Sequence, residues 1–147
     1  MAGSNSENPS RGAAFQRLAG EALSKHFGVH FEIDQGLLIG NPAKQHKFDL
    51  VSSDGRYVGE AKNYSWTVSD NVPSAKMAFT NEAVFYLLHL PATIKRFVVM
   101  RKDVSPKRGE TLATYYLRTN RHLLGGIGLI EVDTADGVVA ELAAPRA

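Results

Sequence analysis

The sequence predicts a single-domain α/β protein in which helices flank one mixed β-sheet. Its 147 residues are the length of one ordinary domain, long enough to bury a hydrophobic core. Hydrophobic residues make up 44% and charged residues 22%, which is typical of a globular chain. Helical and extended segments alternate along the chain, and helices packed on the faces of a sheet bury both kinds of segment.

The first helix is predicted from Gly12 to Phe27. Apolar residues recur there at spacings of three and four, which is the pattern of a helix with one buried face, and Gly28 follows as a stop. The preceding residues 1–11 are rich in Ser, Asn, Gly and Pro and lack the apolar stretch of a signal peptide. We therefore expect a flexible leader over residues 1–11 and one folded domain over residues 12–147.

The strands that follow are predicted from alternation and from one turn. Residues 29–33 alternate apolar with polar side chains, and residues 37–39 extend them to a short hairpin. Residues 47–62 contain two extended runs around Asp54-Gly55, a dipeptide that favours a two-residue type I′ turn. This segment carries the strongest hairpin signal in the chain.

A second helix is predicted between Pro73-Ser74, which opens it, and Pro91, which follows its end. Its side chains are apolar nearly all round, so we expect it to be buried on more than one side. Residues 94–100 (IKRFVVM) then form a strand with a continuous apolar end. Such a strand is typical of the centre of a sheet that is covered on both faces.

The last elements are a third helix and a closing hairpin. The helix is predicted from Gly109 to Leu124, and the hairpin strands over residues 127–132 and 138–142. The predicted order is therefore helix, three strands, helix, strand, then a further helix and a C-terminal hairpin.

Composition and missing motifs exclude several classes of function. The chain has no cysteine, which excludes a disulfide framework, a thiolate zinc site and a cysteine nucleophile. It has no glycine-rich phosphate loop with Lys-Ser/Thr, no Gly-x-Ser-x-Gly and no paired-histidine zinc spacing. The longest apolar run, residues 83–90, is too short to cross a bilayer. We expect a cytoplasmic protein without a membrane partner.

The predicted hairpin places two carboxylates opposite each other. If Asp54-Gly55 forms the turn, counting outward along the two strands pairs Asp49 with Glu60. Directly opposed side chains have Cβ atoms roughly 4.5–5.5 Å apart, and like charges at that spacing are destabilising unless a cation lies between them. A hard divalent cation would resolve the conflict, because carboxylate oxygens are the usual protein ligands of Mg²⁺.

Lys62 completes the predicted site. Strand alternation puts Glu60 and Lys62 on the same face, with the ammonium beside the expected metal. A metal polarises a phosphodiester oxygen and lowers the pKa of bound water, while a lysine orients that water or offsets charge developing on phosphorus. The three residues Asp49, Glu60 and Lys62 are therefore predicted to be catalytic.

An Asp followed across a hairpin by Glu-x-Lys resembles the PD-(D/E)xK nuclease superfamily, the fold of many restriction endonucleases and Holliday-junction resolvases. The matching residues are Asp49 and Glu60-Ala61-Lys62, the only acidic-x-Lys triplet in the chain, and Phe48 stands where the family name has proline. The element order from about residue 12 to residue 132 is also similar to the family core, an α-β-β-β-α-β arrangement.

The resemblance implies an activity and a ligand set. It implies a Mg²⁺- or Mn²⁺-dependent phosphodiesterase, an endonuclease acting on DNA. Asp49 and Glu60 would bind the metal, the Ala61 carbonyl would add a ligand, and Lys62 would position the attacking water. Because one such site cuts one strand, a homodimer is expected on duplex DNA.

A further metal ligand is expected from the first helix, since some family members add a helix glutamate. Glu21, at the edge of the apolar stripe, is the matching residue. It is equally well explained as an exposed helix glutamate without a role in metal binding. Glu32 is a weaker substitute, because pairing with a lysine across the strands accounts for it as well.

Other residues are candidates for nucleic-acid binding, each with a structural alternative. Ser74 and Lys76 stand where a helix N-terminus could hold a phosphate, and helix capping by Ser74 explains it equally. Tyr64 and Trp66 are candidates to stack on a base, and the structural alternative is that they anchor their loop to the core. His46 precedes the motif strand and receives little weight. The chain is locally basic between residues 95 and 122, and the candidates there are Arg101, Lys102, Lys107 and Arg108.

Two other functions fit the same sequence. One is a nuclease-fold module that binds nucleic acid without cleaving it, through the basic segment. The other is a protein-interaction domain in which the apolar helix over residues 75–90 contacts a partner. Metal-dependent cleavage separates the enzyme from both alternatives.

Overall fold

The computed structural model describes residues 9–147 and contains three α-helices and eight strands in that range. The helices are α1 (Pro9–Phe27), α2 (Ser74–Leu87) and α3 (Leu112–Asn120), with a 3-10 turn at Arg121–Leu123. The strands are β1 (Phe31–Ile39), β2 (Lys44–Ser52), β3 (Tyr57–Lys62), β4 (Lys95–Arg101), β5 (Val104–Ser105), β6 (Glu110–Thr111), β7 (Gly128–Val132) and β8 (Val139–Ala143).

Six of these strands form one mixed sheet in the order β1-β2-β3-β4-β7-β8. Strands β1, β2 and β3 are antiparallel neighbours, whereas β3, β4 and β7 run parallel, and β8 returns antiparallel to β7. The predicted single-domain α/β architecture with a mixed sheet is therefore confirmed. The two short strands β5 and β6 pair only with each other, and they were not predicted.

Helix α1 covers one face of the sheet. Its residues Phe15, Ala19 and Leu23 are buried against a cluster that includes Leu50 and Phe97. These are positions of the predicted apolar stripe, which therefore faces the core as expected. Helices α2 and α3 cover the other face, where the buried side chains include Phe48, Val58, Leu87, Val98, Met100 and Tyr116.

Several predicted boundaries differ from the structure. Helix α1 begins at Pro9 rather than Gly12, and residues 1–8 of the expected leader lie outside the described residues. Helix α3 begins at Leu112 rather than Gly109, because β6 occupies the two preceding residues. Thr111 then caps the helix by accepting a hydrogen bond from the N–H of Thr114.

The turn between β2 and β3 also differs from the prediction. A type I′ turn needs positive φ at both central residues. Gly55 has a φ of 75°, but Asp54 is not among the positive-φ residues, and the connection spans residues 53–56. The predicted register survives, because Val51 pairs with Val58 as expected.

Helix α2 is buried on one side only, which corrects the expectation that it is enclosed. Its outer surface exposes Phe79 and Phe85, with relative exposures of 48% and 61%, and Leu88 just beyond its end is 43% exposed. The helix lies on an outer face of the sheet, where it contacts β3 and β4. None of the described helices has the length and apolar character needed to span a membrane.

Gly59 makes the closest packing contact of the central strands. A Cβ atom at this position would overlap the ring of Phe97 on the adjacent strand. Phe97 has no exposed surface, and its ring packs edge-on against Phe31 at 5.9 Å. The ring cannot move aside without disturbing the α1 face of the core.

We predict that Gly59→Ala lowers the free energy of unfolding by about 1–3 kcal/mol, because it overpacks a filled core. Gly12→Ala is the matched control, since an added Cβ meets nothing within 4 Å there and the residue is helical. It should stabilise the protein by about 0.5–1 kcal/mol. Urea denaturation measures both effects, and equal small effects at the two positions would contradict the packing described for β3.

Candidate active site

Strand β2 is irregular at Asp49, where the predicted site begins. Phe48 and Val51 pack on the same cluster, although residues three apart in a regular strand point to opposite faces. On the neighbouring β1, Asp34 has a φ of 56°, and the ladder between β1 and β2 omits the Asp34–Asp49 position. The backbone around Asp49 is therefore turned out of the regular sheet.

The carboxylates of Asp49 and Glu60 bridge the two strands where the backbone ladder ends. The last backbone pair between β2 and β3 is Leu50 with Gly59. Beyond it, the N–H of Asp49 donates to Glu60 Oε2 at 2.9 Å, and the N–H of Ala61 donates to Asp49 Oδ2 at 2.8 Å. The structure thus brings the two predicted acidic residues together, joined through reciprocal contacts to the backbone.

Glu60 is a buried carboxyl group beside a second one. Only 7% of the residue is exposed. Burial, followed by the negative charge of Asp49, raises the pKa of Glu60 to about 8, and the positive charge of Lys62 acts in the opposite direction. Glu60 is therefore mostly protonated at neutral pH in the metal-free protein.

Lys62 lies on the same strand, two residues beyond Glu60, and alternation puts both side chains on the α2 face. Its Nζ atom is 6.0 Å from the centre of the Tyr64 ring. Lys76 in the first turn of α2 places its own Nζ atom 5.6 Å from the same ring. The predicted residues Lys62, Tyr64 and Lys76 are thus neighbours in the fold, and their two ammonium groups make this end of β3 locally basic.

His46 also belongs to the site, although a lone histidine before a strand received little weight in the sequence analysis. Its ring stacks on Tyr86 of α2, with ring centres 3.9 Å apart and planes 11° from parallel. The Nε2 atom is 3.7 Å from Glu60 Oε1, too far for a hydrogen bond, and it is buried without a partner. Burial lowers the pKa of His46. Strand alternation with Phe48 is the signal that could have placed it on the α2 face.

Helix α1 contributes Gln16 to the site, whereas the predicted ligand Glu21 lies elsewhere. Gln16 Nε2 donates to the backbone carbonyl of Asp49 and to Asp34 Oδ1, both at 2.9 Å. Glu21 is exposed and lines clefts that flank α1. Ala19 is fully buried against the sheet, and two helical positions turn a side chain by about 200°, so Glu21 points away from the sheet.

The weaker substitute Glu32 is also outside the site. It is exposed on β1 and pairs with Val51 across the β1–β2 ladder. No ion pair with a lysine forms at this position among the described residues. The acidic side chains that the structure joins in this region are therefore Asp49 and Glu60.

Trp66 anchors the loop after β3 and has little surface left for a base. It is only 7% exposed, its backbone N–H donates to Asp103 Oδ2 at 2.9 Å, and its Nε1 donates to the Asp103 carbonyl at 3.0 Å. The guanidinium of Arg108 covers the ring at 4.9 Å. Trp66 therefore anchors the loop to the core, as its structural alternative predicts. Arg108 contacts the same loop.

The remaining nucleic-acid candidates are dispersed. Ser74 is exposed at the start of α2, but Pro73 occupies the cap position and no side-chain cap bond forms there, so Ser74 does not cap the helix. Arg101 donates to Ser65 Oγ at 2.7 Å. Lys102 and Lys107 are exposed. The predicted basic residues thus do not converge on one common group of neighbours.

Within residues 9–147, no group of three or more histidine, aspartate and glutamate side chains is arranged as a metal site. The acidic pair at the end of β3 is accompanied by the half-buried Ala61 peptide, whose N–H faces Asp49. Comparison with protein-family models, with curated proteins and with solved structures finds no match to this chain. A function for the chain is therefore inferred from the geometry of its own side chains.

We predict that the metal-free protein loses stability as the pH rises from 7 to 9. The folded state raises the pKa of Glu60 from 4.5 to about 8, so it holds this proton more tightly than the unfolded chain. The resulting stabilisation is complete below pH 4.5, decreases as the pH rises, and is gone above pH 8. The part that is lost between pH 7 and 9 is about 1 kcal/mol.

Glu60→Gln should remove this part of the pH dependence, whereas Glu32→Gln on the exposed surface of β1 should keep it. Chemical denaturation in the presence of a chelator measures the effect. The window avoids His46, whose lowered pKa gives the opposite slope in more acidic solution. An unchanged slope in Glu60→Gln would contradict the buried carboxyl pair.

Proposed function

We propose that this chain is a metal-dependent nuclease of the PD-(D/E)xK type that hydrolyses phosphodiester bonds as an endonuclease on DNA. The observation that carries the proposal is the meeting of Asp49 and Glu60 at the end of β3, with Lys62 two residues further along the same strand. The topology supports it as well, because a helix, three antiparallel strands, a helix and a strand parallel to the third follow one another.

The carboxyl pair fits a divalent cation. One oxygen of each carboxyl group accepts a backbone N–H, and the two carboxyl groups are also within hydrogen-bond reach of each other. Mg²⁺ is usually held in proteins by one or two carboxylates, with water and substrate phosphate completing its shell. Asp49 and Glu60 would therefore hold Mg²⁺ or Mn²⁺, and the Ala61 carbonyl is the third proposed ligand.

When bound, such a cation supplies a Lewis acid that polarises a phosphodiester oxygen and lowers the pKa of a water molecule. The chain itself supplies the orientation. Asp49 is held at its carbonyl by Gln16 and at its carboxylate by Ala61, and the opposed strand fixes Glu60 against it. This preorganisation keeps both carboxylates in place without the substrate.

Lys62 is the proposed positioning and charge-stabilising group. Its ammonium orients the attacking water or offsets the negative charge that develops on the phosphoryl oxygens. Lys76 lies beside the same tyrosine ring and adds positive charge where a nucleic-acid strand would approach. Action on duplex DNA would require two copies of this site, so the proposal includes a homodimer.

We predict Mg²⁺- or Mn²⁺-dependent cleavage of nucleic acid that Glu60→Gln abolishes and Lys62→Ala reduces by about 10²-fold or more. Glu32→Gln and Lys47→Ala are the matched controls, since both residues are exposed. Glu32 is on β1, and Lys47 on β2 alternates with Phe48 and so points to the face opposite Lys62. The assay compares duplex, branched and single-stranded substrates, with each metal and with chelator. All five proteins are purified in the same way, so a contaminating nuclease would cut equally in every sample.

The controls should keep wild-type rates. Cleavage that persists in Glu60→Gln would reject the proposed site. Salt-sensitive binding without cleavage by any of the proteins would instead identify a nuclease-fold module that binds nucleic acid.

A second candidate function is favoured by one observation, the exposed apolar surface of α2. Phe85 and Leu88, three positions apart and therefore neighbours on the helix surface, have relative exposures of 61% and 43%. Adjoining exposed apolar side chains are typical of a surface that contacts another protein chain. The second candidate is therefore a protein-interaction domain, with a second copy of the chain as the simplest partner.

We predict that the wild-type protein self-associates in sedimentation velocity and that Phe85→Glu shifts it to the monomer. Val68→Glu is the matched control, because Val68 is fully exposed in the loop before α2. A monomeric wild type at all concentrations would contradict this use of α2 and also the homodimer proposed for duplex DNA, whereas the cleavage prediction for single-stranded substrates would be unaffected.

A further inference from the structure

A cavity with both apolar and polar walls lies on the α1 face at the carboxyl ends of the parallel strands. Its volume is about 400 Å³. The apolar wall consists of Ala14, Phe15 and Leu18 from α1. The polar lining comes from five other residues, which are Arg11, Asn63, Ser65, Arg101 and Thr134. The carboxyl ends of parallel strands are where α/β proteins commonly bind ligands.

The cavity contains two arginines without acidic partners. None of the described residues that line it is acidic. The ion pairs in the described part of the chain involve His26, His46, Arg56 and Arg118, and neither Arg11 nor Arg101 is among them. Two guanidinium groups that face one cavity repel each other, and an anion bound between them would remove that repulsion.

Arg101 is held in place for this role. It is half-buried, and its Nη1 donates to Ser65 Oγ at 2.7 Å. A guanidinium carries five N–H donors in a rigid fork. Ser65 is its one hydrogen-bond partner among the described residues, so donors remain for a ligand. Asn63 and Thr134 add an amide and a hydroxyl that donate hydrogen bonds at neutral pH.

The cavity is adjacent to the proposed nuclease site. Asn63 follows Lys62 directly in the chain, and consecutive Cα atoms are about 3.8 Å apart. Alternation at the end of β3 sends Lys62 to the α2 face, whereas the cavity opens on the α1 face. A nucleic-acid strand that passes the carboxyl end of β3 would contact both Lys62 and the cavity.

We propose that this cavity binds a phosphoryl group of the nucleic-acid substrate, next to the phosphodiester that is cut. The inference rests on the proposed function for its ligand, because it assigns a second phosphate contact to the same substrate. Arginine pairs with phosphate oxygens through two parallel hydrogen bonds, and two arginines with an amide and two hydroxyls match a group that carries several acceptor oxygens. The bound group is either a terminal phosphate or an internal phosphate of the backbone.

The test measures binding of fluorescein-labelled single-stranded oligodeoxynucleotides with a 5′-phosphate or a 5′-hydroxyl, by fluorescence anisotropy in chelator. Wild type is compared with Arg11→Gln, Arg101→Gln and Arg17→Gln. Arg17 is the matched control, because it is an exposed arginine of α1 that lines other clefts and not this cavity. We expect the two cavity variants to bind about tenfold more weakly and the control to change less than about twofold.

The two oligonucleotides distinguish the source of the phosphoryl group. A loss confined to the 5′-phosphorylated strand assigns the cavity to a terminal phosphate, and an equal loss for both strands assigns it to the backbone. Arg17→Gln losing as much affinity as the cavity variants would overturn the proposal, as would no binding by wild type. Arg11 is exposed, so Arg11→Gln still decides the matter if thermal unfolding shows that Arg101→Gln is misfolded.

Failure of this inference and failure of the proposed function give different results. The binding assay contains chelator, so it does not depend on metal or on cleavage. If cleavage persists in Glu60→Gln while the cavity variants lose binding, the nuclease site is rejected and the phosphoryl site stands. If the cavity variants bind normally while Glu60→Gln abolishes cleavage, only the phosphoryl site is rejected.

Discussion

Strand β4 lies between two helical layers, and its residues from Phe97 to Met100 have no exposed surface. The adjacent strand β3 has to fit against it. The ring of Phe97 fills the α1 face beside β3, which leaves room for a hydrogen atom at Gly59 but not for a side chain. Alternation then turns Glu60 to the opposite face, where α2 buries its carboxyl group. The position of the candidate active site is therefore a consequence of how the centre of the sheet packs.

A carboxyl group in this environment needs compensation. Transfer of a charged group out of water is costly unless a partner is provided, and the neighbouring charge that acts most strongly on Glu60 is another carboxylate. The backbone N–H of Asp49 offsets part of the cost, and a proton offsets more in the metal-free protein. A divalent cation would replace that proton and interact with both carboxylates. The same pair thus links the stability of the protein, its pH dependence and the proposed chemistry.

Local patterns in the sequence predicted much of this arrangement. The spacing of apolar residues identified the buried face of α1, and the two runs around Asp54-Gly55 gave the correct register of β2 and β3. The predicted turn type was wrong, because the connection has four residues and Asp54 does not take a positive φ. The wrong turn type did not change the register. In an antiparallel pair of strands the two residue numbers of every pair have the same sum, and the predicted and observed turns share the same centre.

The sequence by itself determined that Asp49, Glu60 and Lys62 share one hairpin, because the two-residue period of a strand acts over a few neighbouring positions. Only the tertiary structure decided which residues join them from elsewhere. Gln16 rather than Glu21 contacts Asp49, His46 approaches Glu60, and Arg11 meets Arg101 in one cavity. These choices depend on the rotation of α1 and the seating of α2 on the sheet. Contacts between segments that are distant in the chain determine the rotation of α1 and the position of α2. The local spacing of apolar residues does not predict such contacts.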